Sequence, residues 1–104
     1  MYFNEHDPNA AQWIRELFPS AVVDGRDIQD VVGRDLAGHT RAHFFAGIAG
    51  WVYALRLAGV PDDFPVWTGS CPCQPFSVAG KGGGVGDPRH LWPDFFRLIQ
   101  ESGP

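Results

Sequence analysis

Cys73 stands between two prolines in Pro72-Cys73-Gln74-Pro75-Phe76-Ser77, just after the apolar stretch Val66-Trp67-Thr68. A thiol held at the carboxyl end of a strand is well placed as a nucleophile, because ligand sites in open α/β sheets lie at that edge. The same pattern also fits a small buried residue in a kinked loop. A second candidate is Phe45-Ala46-Gly47-Ile48-Ala49-Gly50. A strand that turns through glycines into a helix lets a ligand approach backbone N–H groups at the helix start. It equally fits a tight turn that packs helix on strand. Glu5 and Asp27 form the third set, each shortly after a strand. Taken alone, each is a solvated loop charge. At the same edge as the glycine turn, Glu5 has a second reading as acceptor for ribose hydroxyls.

Metal chemistry is disfavoured by spacing. Cys71 and Cys73 form a C-x-C pair with no second pair, and of His6, His39, His43 and His90 only His39 and His43 have a helical spacing. A Cys71–Cys73 disulfide is disfavoured too, since Pro72 leaves little freedom between them.

These residues must be carried by a single domain of 104 residues. With 44% apolar and 19% charged residues, the chain is neither disordered nor fibrous. No apolar run approaches the roughly 18 residues of a membrane span, and Met1-Tyr2-Phe3-Asn4 does not read as a signal peptide. The expected location is the cytoplasm, with no membrane partner. A net charge of -4 counts against tight binding to a phosphate backbone by this chain alone. The 13 glycines and 9 prolines place much of the interest in loops.

Short apolar strands alternate with helical stretches, which predicts an α/β fold with a mostly parallel sheet of about four strands. Tyr2-Phe3 begins the first strand. Asp7-Pro8 reads as an N-cap followed by proline at the first helical position. The helix after it offers Trp13, Leu17 and Phe18, with Ala10 and Ile14 extending the apolar stripe. Ala21-Val22-Val23 is the second strand. Residues 28–38 fit a short helical face broken by Gly33 and Gly38. His43-Phe44-Phe45 is the third strand, and the helix after it, with Val52, Leu55 and Ala58 on one face, ends at Gly59. Val66-Trp67-Thr68 is the fourth. Pro93 starts a last helix with Phe95, Leu98 and Ile99 facing inward.

The Phe-Ala-Gly turn and the Pro-Cys-Gln-Pro-Phe-Ser run together resemble the DNA cytosine-5 methyltransferases. Gly80-Lys81, Asp87, Arg89, Leu91-Trp92 and Phe95-Phe96 look like the loop and helix that follow the catalytic cysteine in that family. Asn4-Glu5-His6-Asp7 and the later Gly25, Asp27 and Ile28 resemble its two intermediate motifs. The resemblance implies a partial S-adenosylmethionine-dependent, Rossmann-like fold. The order of segments is permuted, as in phage-type members, because the Asn-Glu and Asp-Ile segments precede the Phe-Ala-Gly turn. If the spatial arrangement is kept, the strands read across the sheet as 21–23, 2–4, 43–46 and 66–69. Residues 59–65 must then cross to the fourth strand. Seven residues reach about 24 Å, enough to pass one strand, but the connection is strained against the right-handed crossover rule unless the preceding helix changes face.

The resemblance further implies S-adenosylmethionine as cofactor, DNA as partner and Cys73 as the nucleophile that adds to C6 of a flipped cytosine. It implies that Phe45 packs on the cofactor, with the backbone of Ala46, Gly47, Ile48 and Gly50 around it. Glu5 takes the ribose hydroxyls, Asp27 and Ile28 hold the adenine, and Leu91 closes the far side. Gln74, Ser77 and Lys81 fall in a loop that shuts on DNA. Ala49 replaces a glycine of the family pattern, and His6 replaces a tryptophan. The Glu-Asn-Val segment and the target-recognition domain are not found in residues 1–104. The expectation is therefore the front half of an enzyme, inactive by itself. The alternative is a cofactor-binding module without turnover.

Overall fold

The computed structural model describes residues 1–71 and 91–104. Four short parallel strands form one sheet: β1 (Tyr2–Asn4), β2 (Val22–Asp24), β3 (Arg41–Phe44) and β4 (Val66–Gly69), in the order β2-β1-β3-β4. This is the strand order expected from the sequence. Every residue of β1 and β3 is buried, as central parallel strands covered on both faces require.

Three helices, α1 (Pro8–Leu17), α2 (Gly50–Leu57) and α3 (Trp92–Ser102), cover the sheet with two 3₁₀ turns, Ile28–Asp30 and Gly33–Leu36. On one face Tyr2, Ala42 and Phe44 meet Ile28, Val31 and Leu36 of the turn segment and Phe95 and Leu98 of α3. On the other, Phe3 meets Ile14 of α1 and Val52 of α2. The start of α1 follows its sequence signature: Asp7 is the N-cap, its carboxylate accepts from the Ala10 N–H at 3.3 Å, and Pro8 opens the helix. The helix α3 is tied to the turn segment by polar bonds. Arg97 donates to the Val31 carbonyl at 2.9 Å, and Glu101 accepts from the Gly33 N–H at 2.7 Å.

Three expectations need correction. Trp13 and Leu17 face solvent, being 58% and 41% exposed, whereas Ile14 is buried as expected and Ala11 is buried beside it. The third strand begins at Arg41 and ends at Phe44, so Phe45 lies outside it. Arg41 was a poor strand signal because it is charged, yet it is buried because its guanidinium donates to the carbonyls of Phe64 at 3.1 Å and Pro61 at 2.9 Å. The third correction concerns handedness. The link from β1 to β2 runs through α1, and that from β3 to β4 runs the opposite way through α2. Ile14 of α1 and Val52 of α2 nonetheless share one cluster, so both helices lie on one face and α2 does not change face. The β2-to-β3 link passes over the other face. Reversing direction on the same face reverses the hand. The β3–α2–β4 crossover is thus opposite in hand to the other two, against the strong right-handed preference. The Arg41 bonds to Pro61 and Phe64 anchor the connector that makes this route.

Candidate functional site

β3 leaves toward α2 on one face, whereas α3, the next described element after β4, packs on the other. In open parallel sheets ligand sites lie at the carboxyl ends of the strands. Two cavities open there. One, of about 320 Å³, is lined by Asn4, Glu5, His6, Asp27, Ile28, Phe45, Ser70 and Leu91. The other, of about 440 Å³, is lined by Phe45, Ala46, Ile48, Gly50, Trp51, Ala54 and Ser70. They adjoin at Phe45 and Ser70. A larger cavity of about 670 Å³, bordered by His39, Thr40, Pro65 and Val66, lies at the opposite, amino-terminal ends of β3 and β4. It contains none of the residues that the sequence marks as nucleophile, cofactor-binding or DNA-contact candidates.

The first cavity brings together Glu5, Asp27, Ile28, Phe45 and Leu91, and the second gathers Ala46, Ile48 and Gly50 with Phe45. Gly47 lines neither. Its N–H donates to Glu5 Oε1 at 2.6 Å, and Glu5 Oε2 accepts from the Asp7 N–H at 2.8 Å. A carboxylate offers about four lone-pair sites. Two serve the backbone, so two remain, the number a vicinal diol needs. Asp27 is also half committed. Its Oδ1 caps the first 3₁₀ turn by accepting from the Gln29 N–H at 3.0 Å.

The glycine turn is strained where it meets the cavities. Phe45 and Ala49 adopt left-handed φ values of 53° and 67°, and Gly47 lies between them at 57°. An L-residue pays roughly 1–2 kcal/mol for that conformation. Phe45 is held by an edge-on contact of its ring with Phe95 at 5.9 Å between centroids, and the next N–H, of Ala46, bonds to the Asn4 carbonyl at 3.3 Å. Ala49, the N-cap of α2, is locked by burial at 1% exposure. A left-handed N-cap explains why a glycine suits this position better.

The loop that carries Asp27 and Ile28 is pinned from β1. Asn4, buried at the end of that strand, donates its amide to the carbonyls of Asp24 at 3.1 Å and Arg26 at 2.9 Å. The Tyr2 hydroxyl donates to Asp24 Oδ2 at 2.6 Å, and Arg26 bridges Asp24 and Asp35 at 2.7 and 2.9 Å. The Arg26 bonds hold the Asp24 carboxyl down at about 2, and burial pushes the Tyr2 phenol above its ordinary value. Sequence reasoning gave no task to Asn4, Ser70 or Trp51. The signals for Asn4 were its place in the Asn4-Glu5-His6-Asp7 motif and a polar amide closing an otherwise apolar buried strand. Cys73, Gln74, Ser77 and Lys81 lie outside the described residues.

A family model described as C-5 cytosine-specific DNA methylase matches residues 1–104. The chain belongs to that family. Among curated relatives, the Type II methyltransferase M.HgiBI of Herpetosiphon aurantiacus is 50% identical over 40 residues, 38% of this chain and 9% of the relative. The Type II methyltransferase M.NgoMIV of Neisseria gonorrhoeae is 44% identical over 43 residues, 41% of this chain and 14% of the relative. The matched stretch thus spans only a small part of these relatives' length. No solved structure matches the chain significantly.

Proposed function

We propose that this chain forms the S-adenosylmethionine-binding and nucleophile-bearing part of a DNA cytosine-5 methyltransferase. The observation that carries the reading is the gathering of Glu5, Asp27, Ile28, Phe45 and Leu91 around one cavity at the carboxyl edge of the sheet. The chemistry of that lining favours this cofactor over a dinucleotide. Among the described residues two carboxylates border the cavity and no lysine or arginine does, so a pyrophosphate would meet repulsion from them. The glycine turn already presents its Gly47 N–H to a carboxylate of the chain itself. A nucleoside with net positive charge suits both facts. In this reading Glu5 accepts the ribose hydroxyls, Asp27 and Ile28 hold the adenine, Phe45 packs against the cofactor and Leu91 closes the far side. The backbone of Ala46, Ile48 and Gly50 borders the amino-acid end, and Gly47 fixes Glu5.

When bound, the sulfonium supplies an electrophilic methyl group. Cys73 adds as thiolate to C6 of a cytosine flipped out of the duplex, and the electron pair of the C5–C6 bond moves to C5, which takes the methyl. Loss of the C5 proton restores the double bond and expels the thiolate. Gln74, Ser77 and Lys81 belong to the segment that meets DNA. The opposite-handed β3–α2–β4 crossover supports a permuted order of segments, because it is one of the two links, with β2–β3, that a permutation would create anew. With 8 basic against 12 acidic residues, the isolated chain does not hold a duplex and does not turn over.

The test is calorimetric titration of the 104-residue chain with S-adenosylhomocysteine, with NAD as the competing chemistry. Binding of the first and not the second is expected. No heat at millimolar S-adenosylhomocysteine, or preference for NAD, refutes the cofactor reading. For the nucleophile, an active enzyme carrying this segment should be trapped on 5-fluorocytosine DNA, and Cys73→Ser should abolish trapping whereas Cys71→Ser should not.

A further inference from the structure

Between the two cavities at the sheet edge stands a hydroxyl that no role yet accounts for. Ser70 follows β4 directly and borders both cavities, a position shared among the described residues only with Phe45. A ligand reaching from the carboxylate-lined cavity into the one beside the start of α2 must pass between the Phe45 ring and this hydroxyl. Ser70 is exposed, so its side chain is not committed to the core. Its Oγ accepts from the indole Nε1–H of Trp51 at 3.0 Å, a bond that ties the first turn of α2 to the end of β4. A hydroxyl has one proton to donate and two lone pairs to accept with. The bond from Trp51 uses a lone pair and leaves the proton. Accepting from the indole also polarises the O–H and strengthens it as a donor.

The second cavity has a different character from the first. Its side-chain walls are Phe45, Ala46, Ile48, Trp51 and Ala54, and Ser70 supplies the hydroxyl among the described lining residues. Two carboxylates serve the nucleoside end of the ligand in the first cavity, whereas the far end finds no charged side chain among the described residues of the second. An oxygen acceptor on the ligand's far end therefore meets one side-chain donor there.

Building on the cofactor reading above, we infer that Ser70, oriented by Trp51, is the residue that recognises the carboxylate of the cofactor's amino-acid end and so distinguishes a full-length cofactor from a bare thionucleoside. Trp51 is a positioning residue in this scheme, acting through Ser70. The experiment is calorimetric titration of the 104-residue chain with two ligands, S-adenosylhomocysteine and 5′-methylthioadenosine, which lacks the amino acid. Ser70→Ala should weaken S-adenosylhomocysteine roughly tenfold, as loss of a hydrogen bond to a charged group does. Methylthioadenosine should stay within about twofold, because it makes no use of that bond. Trp51→Phe keeps an aromatic wall and removes only the N–H, so it should weaken S-adenosylhomocysteine by a smaller factor and spare methylthioadenosine. Ser70→Thr, which retains a hydroxyl, should recover the affinity lost in Ser70→Ala. Equal weakening of both ligands, or none in Ser70→Ala, overturns the assignment while leaving the cofactor reading intact. A wild-type chain that binds neither ligand overturns both.

Discussion

Lowering the pH from 7 to 5 should cost this protein about 2 kcal/mol of stability through one side chain, His43. The imidazole lies in β3, 1% exposed, stacked on Phe3 at 5.3 Å between centroids, with Nδ1 at 2.6 Å from Thr68 Oγ1. Its Nε2 is buried with no partner among the described residues. Burial, reinforced by the neighbouring Arg41 guanidinium, pulls its pKa from 6.5 down to about 4. The folded state thus holds the ring neutral where the unfolded chain would bind a proton. Above the unfolded value both states are neutral and the stability is fully present. As pH falls from 6.5 toward 4 the unfolded state takes up the proton first, and stability falls by about 1.4 kcal/mol per pH unit. Integrated from pH 7 to pH 5, the loss is about 2 kcal/mol, a large fraction of the margin of a domain this small. Urea unfolding at both pH values measures it, with His43→Phe as the control that keeps a ring against Phe3. The variant is less stable at pH 7, because the Thr68 hydroxyl loses its partner, but its profile is flatter. His39, whose burial also lowers its pKa, leaves a small residual slope. A wild-type stability that is level between pH 7 and 5, or a slope unchanged in His43→Phe, refutes the reasoning. The outcome bears on the site, because β3 delivers Phe45 and the glycine turn.

Glu5→Ala should lower stability by about 1–2 kcal/mol by stripping the Gly47 and Asp7 N–H groups of their acceptor, read by urea unfolding. It should also weaken S-adenosylhomocysteine by about 1–2 kcal/mol in calorimetry, and a stability loss without an affinity loss would remove Glu5 from the ligand site. Gly69→Ala should destabilise by about 1–3 kcal/mol through overpacking, because a Cβ there would come within 2.5 Å of the Phe95 ring, itself wedged against Phe44. Asp24→Asn should cost about 2 kcal/mol at neutral pH. The wild type loses that contribution in acid as pH falls from 3.8 through about 2, where the Arg26-stabilised carboxylate finally protonates, and the variant shows no such step.

The pattern of residues determined a good deal without any coordinates. Strands were legible because parallel strands buried on both faces are short apolar runs between turn residues, and Tyr2-Phe3 and Val66-Trp67-Thr68 are such runs. The start of α1 was legible because Asp7-Pro8 satisfies an orphan N–H and presets φ, both local effects. The candidate set of Glu5, Asp27, Ile28, Phe45 and Leu91 came from the resemblance of short motifs to those of the DNA cytosine-5 methyltransferases, although their order in the chain is permuted. Tertiary structure decided what depends on distant partners. Arg41 is a strand residue only because carbonyls about twenty positions later accept from its guanidinium. Trp13 and Leu17 fit an apolar stripe by spacing, yet the side of α1 packed on the sheet buries Ile14 and Ala11 and leaves those two in solvent. The face chosen by α2, and with it the opposite-handed crossover, follows from the packing of Val52 with Phe3 and Ile14, which no local signal encodes. Ser70 acquired its place between two cavities in the same way, because β4, the glycine turn and the loop after β2 meet only once the sheet has formed.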